Sequence, residues 1–190
     1  MGRWSAAEDV VMRLMPRRAH QGTTPFGRMG DVTQQPPFWV GAAGALALGG
    51  GARGRRAALR GSVAYGATAI VANLILKPII RRGRPPGSGR GRTGPITSSA
   101  PSGHAATDLA FTLGVAQEIP MAFFPLAVAT SAAHWSVVRS RGHYPSDVFL
   151  GGVVGIAVAM AMWKLWPPGG PPEEEAEDRK AEEVPGGQAG

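Results

Sequence analysis

The sequence predicts an all-α fold, an integral membrane helical bundle of about five transmembrane helices preceded by an amphipathic helix. Three observations carry that expectation. The apolar residues of this 190-residue chain come in long blocks, and a span needs about 20 mostly apolar residues, somewhat fewer where neighbours compensate. Glycine at 28 and proline at 17 are abundant, which membrane helices tolerate better than soluble ones do. Arginines gather between the blocks, where a span would meet headgroups. A mean hydropathy near zero hides the pattern, because both ends of the chain are polar.

Residues 1–37 are expected to hold no span. Val10, Val11, Leu14 and Met15 recur at helical spacing beside Arg13, Arg17 and Arg18. They predict either an interfacial helix on the bilayer or an amphipathic cap packed on the bundle, and the pattern alone does not choose. Glu8 and Asp9 interrupt any secretory-signal pattern, and the glycines, prolines and threonines of 22–37 read as loop.

The bundle domain is expected over 38–166. Its first span, 38–51, is short and rich in small residues that suit close helix packing. Arg53, Arg55, Arg56 and Arg60 then form a basic hairpin loop. The second span, 61–80, carries Lys77 near its end. The stretch 81–100 reads as a mobile loop in which Arg81, Arg82, Arg90 and Arg92 face headgroups or solvent. A third span covers 104–118. Its Asp108 lies four residues after His104, either tuning that histidine or facing the bundle interior, and in neither case facing lipid. Pro120 turns the chain into a fourth span, 121–138, whose His134 is read as structural. The fifth, 148–166, has Gly151, Gly152 and Gly155 for packing and ends in an interfacial Trp163-Lys164-Leu165-Trp166 belt. The segment 167–190 has too little apolar content to fold and is expected to be a disordered acidic tail.

Charge and cysteine content narrow the partners. The formal charge is +7, but without the tail's seven acids and two bases the body holds 18 basic and six acidic residues, or +12. With apolar blocks between the arginines, anionic lipid headgroups in a bilayer fit this body better than nucleic acid does. The absence of cysteine excludes disulfides and thiolate metal sites.

Three stretches together carry chemistry: Lys77-x6-Arg84-Pro85, Pro101-Ser102-Gly103-His104, and His143-x3-Asp147. A site that transfers a phosphoryl group must supply cations and N–H donors for three equatorial oxygens, together with a nucleophile and a proton source. Lys77 and Arg84 are fixed charges, the second able to grip two oxygens at once. Ser102 and Gly103 open an apolar run and offer a hydroxyl and free N–H groups at a helix N-terminus. His104 and His143 can trade protons near neutral pH. On a helix, Asp147 would share a face with His143 and hold one ring nitrogen, leaving the other free to attack. Counting five spans brings all three stretches to one face of the membrane.

The order and spacing of these motifs resemble the type 2 phosphatidic acid phosphatase (PAP2) superfamily, which includes the vanadium haloperoxidases, over roughly 38–166. The resemblance implies a metal-independent membrane lipid phosphatase without cofactors. His143 would be the nucleophile that forms a phosphohistidine, oriented by Asp147, and His104 would protonate the leaving oxygen. Lys77, Arg84, Ser102 and Gly103 would hold phosphate. One position departs from the pattern: Val137 stands where the family's third motif carries an arginine, six residues before the histidine. If the helix continues, Arg141 lies on the same face and is favoured over Arg139 as the replacement. The stretch 50–73 is similar to actinobacterial members, placing the chain in a bacterial plasma membrane. The implied substrate is a phospholipid such as phosphatidic acid, or a prenyl phosphate or diphosphate. The arginine count favours a cytoplasmic site, but phosphate binding itself demands arginines, so the face stays open. A non-catalytic protein that binds anionic lipid through a degenerate site is the alternative, motivated by Val137.

Overall fold

A computed structural model describes residues 3–14, 24–85 and 98–169 of the chain. Every regular element among them is helical: α1 (Arg3–Leu14), α2 (Pro25–Thr33), α3 (Pro36–Gly49), α4 (Gly51–Ala69), a π-helical stretch Ile70–Leu76, α5 (Lys77–Ile80), α6 (Gly103–Glu118), a 3₁₀ turn Pro120–Ala122, α7 (Phe123–Arg139) and α8 (Pro145–Leu165). Met15, Arg90, Arg92 and the tail beyond Gly169 lie outside the described residues.

Among the described residues, three helices are long and apolar enough to cross a membrane: Gly51–Ile80 with 30 residues, Pro120–Arg139 with 20, and Pro145–Leu165 with 21. The expected spans at 38–51 and 104–118 form helices of only 14 and 16 residues. At 1.5 Å per residue, α6 is about 24 Å long, short of a hydrocarbon core of about 30 Å. It compensates by position, because it is the axis of the bundle, packed on α4, α7 and α8. Its first nine residues are almost wholly buried, Asp108 among them, which places that acid in the interior as expected.

Small residues set the helix spacing. A side chain at Gly151 would come within 2.5 Å of the Ser102 carbonyl oxygen, and one at Gly155 within 2.4 Å of the Ala106 carbonyl oxygen, so α8 lies directly on the backbone of α6. Apolar packing fills the space between α3, α4 and α6, where Trp39, Ala57, Phe111 and Val115 form a buried cluster. Trp39 and Phe111 meet edge to face at 5.3 Å.

Two segments expected as loop are helical. The arginines at 53–60 do not form a hairpin loop: the chain turns at Gly50 and Gly51, the latter at φ +57, and α4 starts at once. Arg60 is fully buried. Its Nε donates to Glu118 at 2.9 Å, its Nη1 to Gln117 at 3.1 Å, and its guanidinium lies 4.6 Å from the Trp166 ring. Burial with a paired acid thus overrode a composition that reads as solvated. In the other segment, 22–37, Thr24 caps α2 by accepting from the Gly27 N–H at 3.1 Å, and Pro25 occupies its first turn. That helix packs on α7, where Gly30 lies against the Ala132 carbonyl and Ser136 donates to Asp31 at 2.7 Å.

The N-terminal helix caps the bundle through its polar side. Met12 is buried with Val138 and Tyr144, and the partly buried Val148 packs against them. Val10, Val11 and Leu14 point outward, 55, 45 and 78% exposed. The apolar stripe seen in the sequence is therefore not the face that packs on the protein.

Candidate active site

The three motifs converge at one end of the bundle. The first closes the long helix that begins at Gly51, the second begins α6, and the third runs from the connection after α7 into the first turn of α8. The π-helical stretch Ile70–Leu76 adds residues to the turn just before Lys77, and such insertions recur at functional sites. A cavity of about 160 Å³ lies at this end, bounded by Lys77 and Arg84, by Gly103, His104 and Thr107, by His143, and by Tyr65, Ala69 and Asn73. Lys77, Arg84 and His143 are all at least nine-tenths buried.

Lys77 is aimed by Asn73, whose Oδ1 accepts from Nζ at 2.6 Å. Asn73 also explains Gly103: a Cβ there would stand 2.7 Å from the same Oδ1. Sequence reading missed Asn73, although its place one helical turn before Lys77 was a usable signal. Tyr65 and Thr107, also missed, carry no such mark. Arg84 donates from Nη1 to the Gly142 carbonyl at 2.7 Å, and the same nitrogen lies 3.4 Å from His143 Nε2.

His143 is not on a helix. The chain leaves α7 at Arg139, passes Arg141 in the left-handed region at φ 58, and enters α8 at Pro145. The His143 Nδ1 lies 2.7 Å from the Ser99 carbonyl oxygen, which fixes the neutral tautomer with the proton on Nδ1 and the lone pair on Nε2. Burial, with Arg84 and Lys77 nearby, lowers the His143 pKa to about 3, so the ring is neutral at physiological pH.

Asp147 does not hold that ring directly as expected. Its Oδ2 is 3.9 Å from Nδ1, beyond hydrogen-bond reach, and a neutral imidazole makes no ion pair with it. Asp147 accepts instead from the Tyr144 N–H at 2.9 Å, which caps α8, from the Ser99 hydroxyl, and from Arg82 Nη1 at 2.6 Å. Ser99 therefore stands between the acid and the histidine, its hydroxyl on one and its carbonyl on the other. Arg82, expected to be solvated, is bound to Asp147, Ser146 and Glu8, with its guanidinium 4.4 Å from the Tyr144 ring.

Three expected phosphate ligands lie elsewhere. Ser102 is fully buried and caps α6, its Oγ accepting from the Ala105 N–H at 3.4 Å, while its own N–H donates to the Asp147 carbonyl at 2.9 Å. It does not line the cavity. Arg141 donates to the Met12 carbonyl at 2.6 Å, and Arg139 packs 5.5 Å from the Trp135 ring. Neither arginine bounds the cavity, because α7 ends before position 141 and the helical face that would have aligned it with Val137 does not exist. Val137 is buried, its carbonyl accepting from the Gly142 N–H at 3.0 Å. His134 is half-buried inside α7 and lines no part of the cavity. Among the described residues, no group of three or more His, Cys, Asp or Glu is placed to hold a metal ion.

The arrangement can place an anion between Lys77, Arg84 and the N-terminus of α6, against a neutral imidazole with a second histidine on the wall. Residues 58–169 match the sequence model of the PAP2 superfamily. No curated protein matches the chain. The fold is similar to a crystal structure of a transmembrane PAP2-type phosphatidylglycerolphosphate phosphatase from Bacillus subtilis, at 15% identity and a TM-score of 0.61, covering 97% of this chain and 90% of that one.

Proposed function

The chain belongs to the PAP2 superfamily, and from that membership we propose that it is a membrane lipid phosphatase that cleaves a phosphate monoester or diphosphate through a phosphohistidine on His143. The observation that carries the reading is the tautomer of His143. With Nδ1–H donating to the Ser99 carbonyl, the Nε2 lone pair is available beside Arg84 at the wall of the cavity.

The chemistry runs in two displacements. The Nε2 of His143 attacks phosphorus and the bond to the leaving oxygen breaks, with His104 delivering a proton to that oxygen. Lys77, Arg84 and the Gly103 N–H hold the equatorial oxygens as charge spreads over them. Water then attacks the phosphohistidine, giving a proton to His104 and releasing phosphate with His143 regenerated. Asp147 acts through Ser99 and through the shape of the segment 142–147, and Ser102 acts by capping α6. No metal has a part in this scheme. The substrate is a lipid phosphate, either of the phosphatidic acid or phosphatidylglycerolphosphate kind or a polyprenyl phosphate or diphosphate, because the cavity opens at one end of apolar helices. The protein would act in a bacterial plasma membrane.

A second reading, a non-catalytic protein that binds anionic lipid, is favoured by Val137, which leaves Lys77 and Arg84 as the cationic side chains on the cavity wall among the described residues. Phosphate release by purified protein in detergent from a panel of these lipids, with EDTA present, separates the two. Turnover that disappears in His143→Ala supports the phosphatase. Binding without release across the panel supports the second reading, and activity that survives the loss of His143 sinks the phosphohistidine.

A further inference from the structure

We propose that Glu8, on the N-terminal helix, is a positioning residue for His143: it holds Arg82 against Asp147, so that the segment joining α7 to α8 keeps one shape. The inference rests on the reading of His143 as nucleophile.

Arg82 sits between two carboxylates. Its Nη1 donates to Asp147 Oδ1 and to Ser146 Oγ, both at 2.6 Å, and its Nη2 donates to Glu8. A guanidinium is a rigid planar fork, so fixing Nη2 on α1 fixes where Nη1 meets Asp147. The second oxygen of Glu8 accepts from the Ser146 N–H at 3.1 Å, an N–H in the first turn of α8 that has no partner within its own helix. Although burial alone would raise it, hydrogen bonds from Ser146 and Arg82 hold the Glu8 carboxyl below the usual range. Glu8 is thus ionised and bound at neutral pH.

The rest of α1 aligns this grip. Tyr144 donates its hydroxyl to Asp9 at 2.6 Å, Arg141 donates to the Met12 carbonyl at 2.6 Å, and the Met12 side chain is buried against Val138, Tyr144 and Val148. These contacts fall on both sides of His143 in the chain. Arg82 also lies two residues before Arg84, whose Nη1 is 3.4 Å from His143 Nε2. Loss of the Glu8 contact would therefore loosen the first motif and the third together. Glu8 does not line the cavity, so the effect belongs to the placement of the reacting groups and not to substrate binding.

The test compares full-length wild type, Glu8→Ala, Glu8→Gln, Arg82→Ala and the Glu8→Ala/Arg82→Ala double variant in detergent, on whichever lipid phosphate the wild type turns over. A misplacement of about 1 Å can slow an enzyme by about 100-fold. Glu8→Ala should accordingly lower kcat by roughly tenfold to 100-fold with KM changed less than about twofold. Glu8→Gln keeps an acceptor oxygen and should recover part of that loss. The double variant should be no slower than Arg82→Ala, since both residues act through one contact. Wild-type kcat in Glu8→Ala, or losses that multiply in the double variant, would overturn the proposal. If wild type itself releases no phosphate, the functional reading fails, and Glu8 is judged on the histidine ring ¹⁵N spectrum. A shifted or broadened His143 Nδ1 signal in Glu8→Ala that returns in Glu8→Gln supports the positioning role, and an unchanged signal in both variants overturns it.

Discussion

The Nδ1–H of His143 donates to the carbonyl oxygen of Ser99 at 2.7 Å, while the hydroxyl of the same serine donates to Asp147. A backbone carbonyl cannot be protonated at any relevant pH, so it holds the ring in one tautomer more simply than an acid would. The acid in turn holds the serine.

Removing that hydroxyl tests the arrangement. A hydrogen bond to a charged group contributes about 1.5 to 3 kcal/mol, which is roughly tenfold to 100-fold in rate if felt in the transition state. Ser99→Ala should lower kcat within that range while leaving the carbonyl in place. Asp147→Ala, which also removes one of the partners of Arg82 and the α8 cap, should lose more. Steady-state kinetics of the two variants check the order, and equal losses would mean that Asp147 acts only through Ser99.

The His143 pKa of about 3 lies below the ordinary value near 6.5. The unfolded chain therefore binds more protons at this site between those two values. The stability from this group is fully present above about pH 6.5 and falls as pH drops toward 3. Unfolding in detergent, followed from pH 7.5 to 4.5, should show the decline in wild type and a shallower one in His143→Gln. The His143 ring resonances should not titrate between pH 8 and 5.

Gly103→Ala places a methyl group 2.7 Å from Asn73 Oδ1, which must move and release Lys77 Nζ. Loss of an oriented cation should lower kcat/KM by about tenfold to 100-fold. Asn73→Ala should do the same without any clash. If Gly103→Ala is impaired and Asn73→Ala is not, the glycine is needed for the approach of phosphate itself.

Arg139→Ala should change kcat/KM by less than about threefold, about 0.65 kcal/mol, because its side chain does not bound the cavity. Arg141→Ala, which removes a contact of the segment joining α7 to α8 with α1, should leave KM within that range and act on kcat alone. Arg141→Ala should reduce stability by about 1 kcal/mol through the lost Met12 contact. A rise in KM beyond about threefold at either arginine would restore it to the phosphate site.

Arg60→Ala leaves Glu118 buried, with Arg56 at 3.4 Å as its remaining ion-pair partner. Breaking a buried pair from one side destabilises by about 3 to 5 kcal/mol. The pair joins the middle of α4 to the end of α6, at the end of α6 away from the cavity, so turnover per folded molecule should be unchanged. Thermal unfolding beside kcat measured at low temperature checks both halves.

By itself the sequence determined the class and the motif residues. Long apolar blocks require helices in a bilayer, and the spacings Lys77-x6-Arg84, Pro101 to His104 and His143-x3-Asp147 mark the candidate site without reference to the fold. Lys77, Arg84, Gly103, His104 and His143 do meet on one cavity wall. What the tertiary structure decided was how they are held. Periodicity assumes a regular helix, and it failed where the backbone is irregular: Arg141 at φ 58 lies on no helical face, and His143 precedes α8 instead of belonging to it. Composition assumes that arginine is solvated, and it failed at Arg60 and Arg82, where a paired carboxylate makes burial tolerable. The Glu8 and Arg82 contact joins residues 74 positions apart. No local spacing carries such a pairing, because it exists only once packing has brought α1 onto the segment that holds His143.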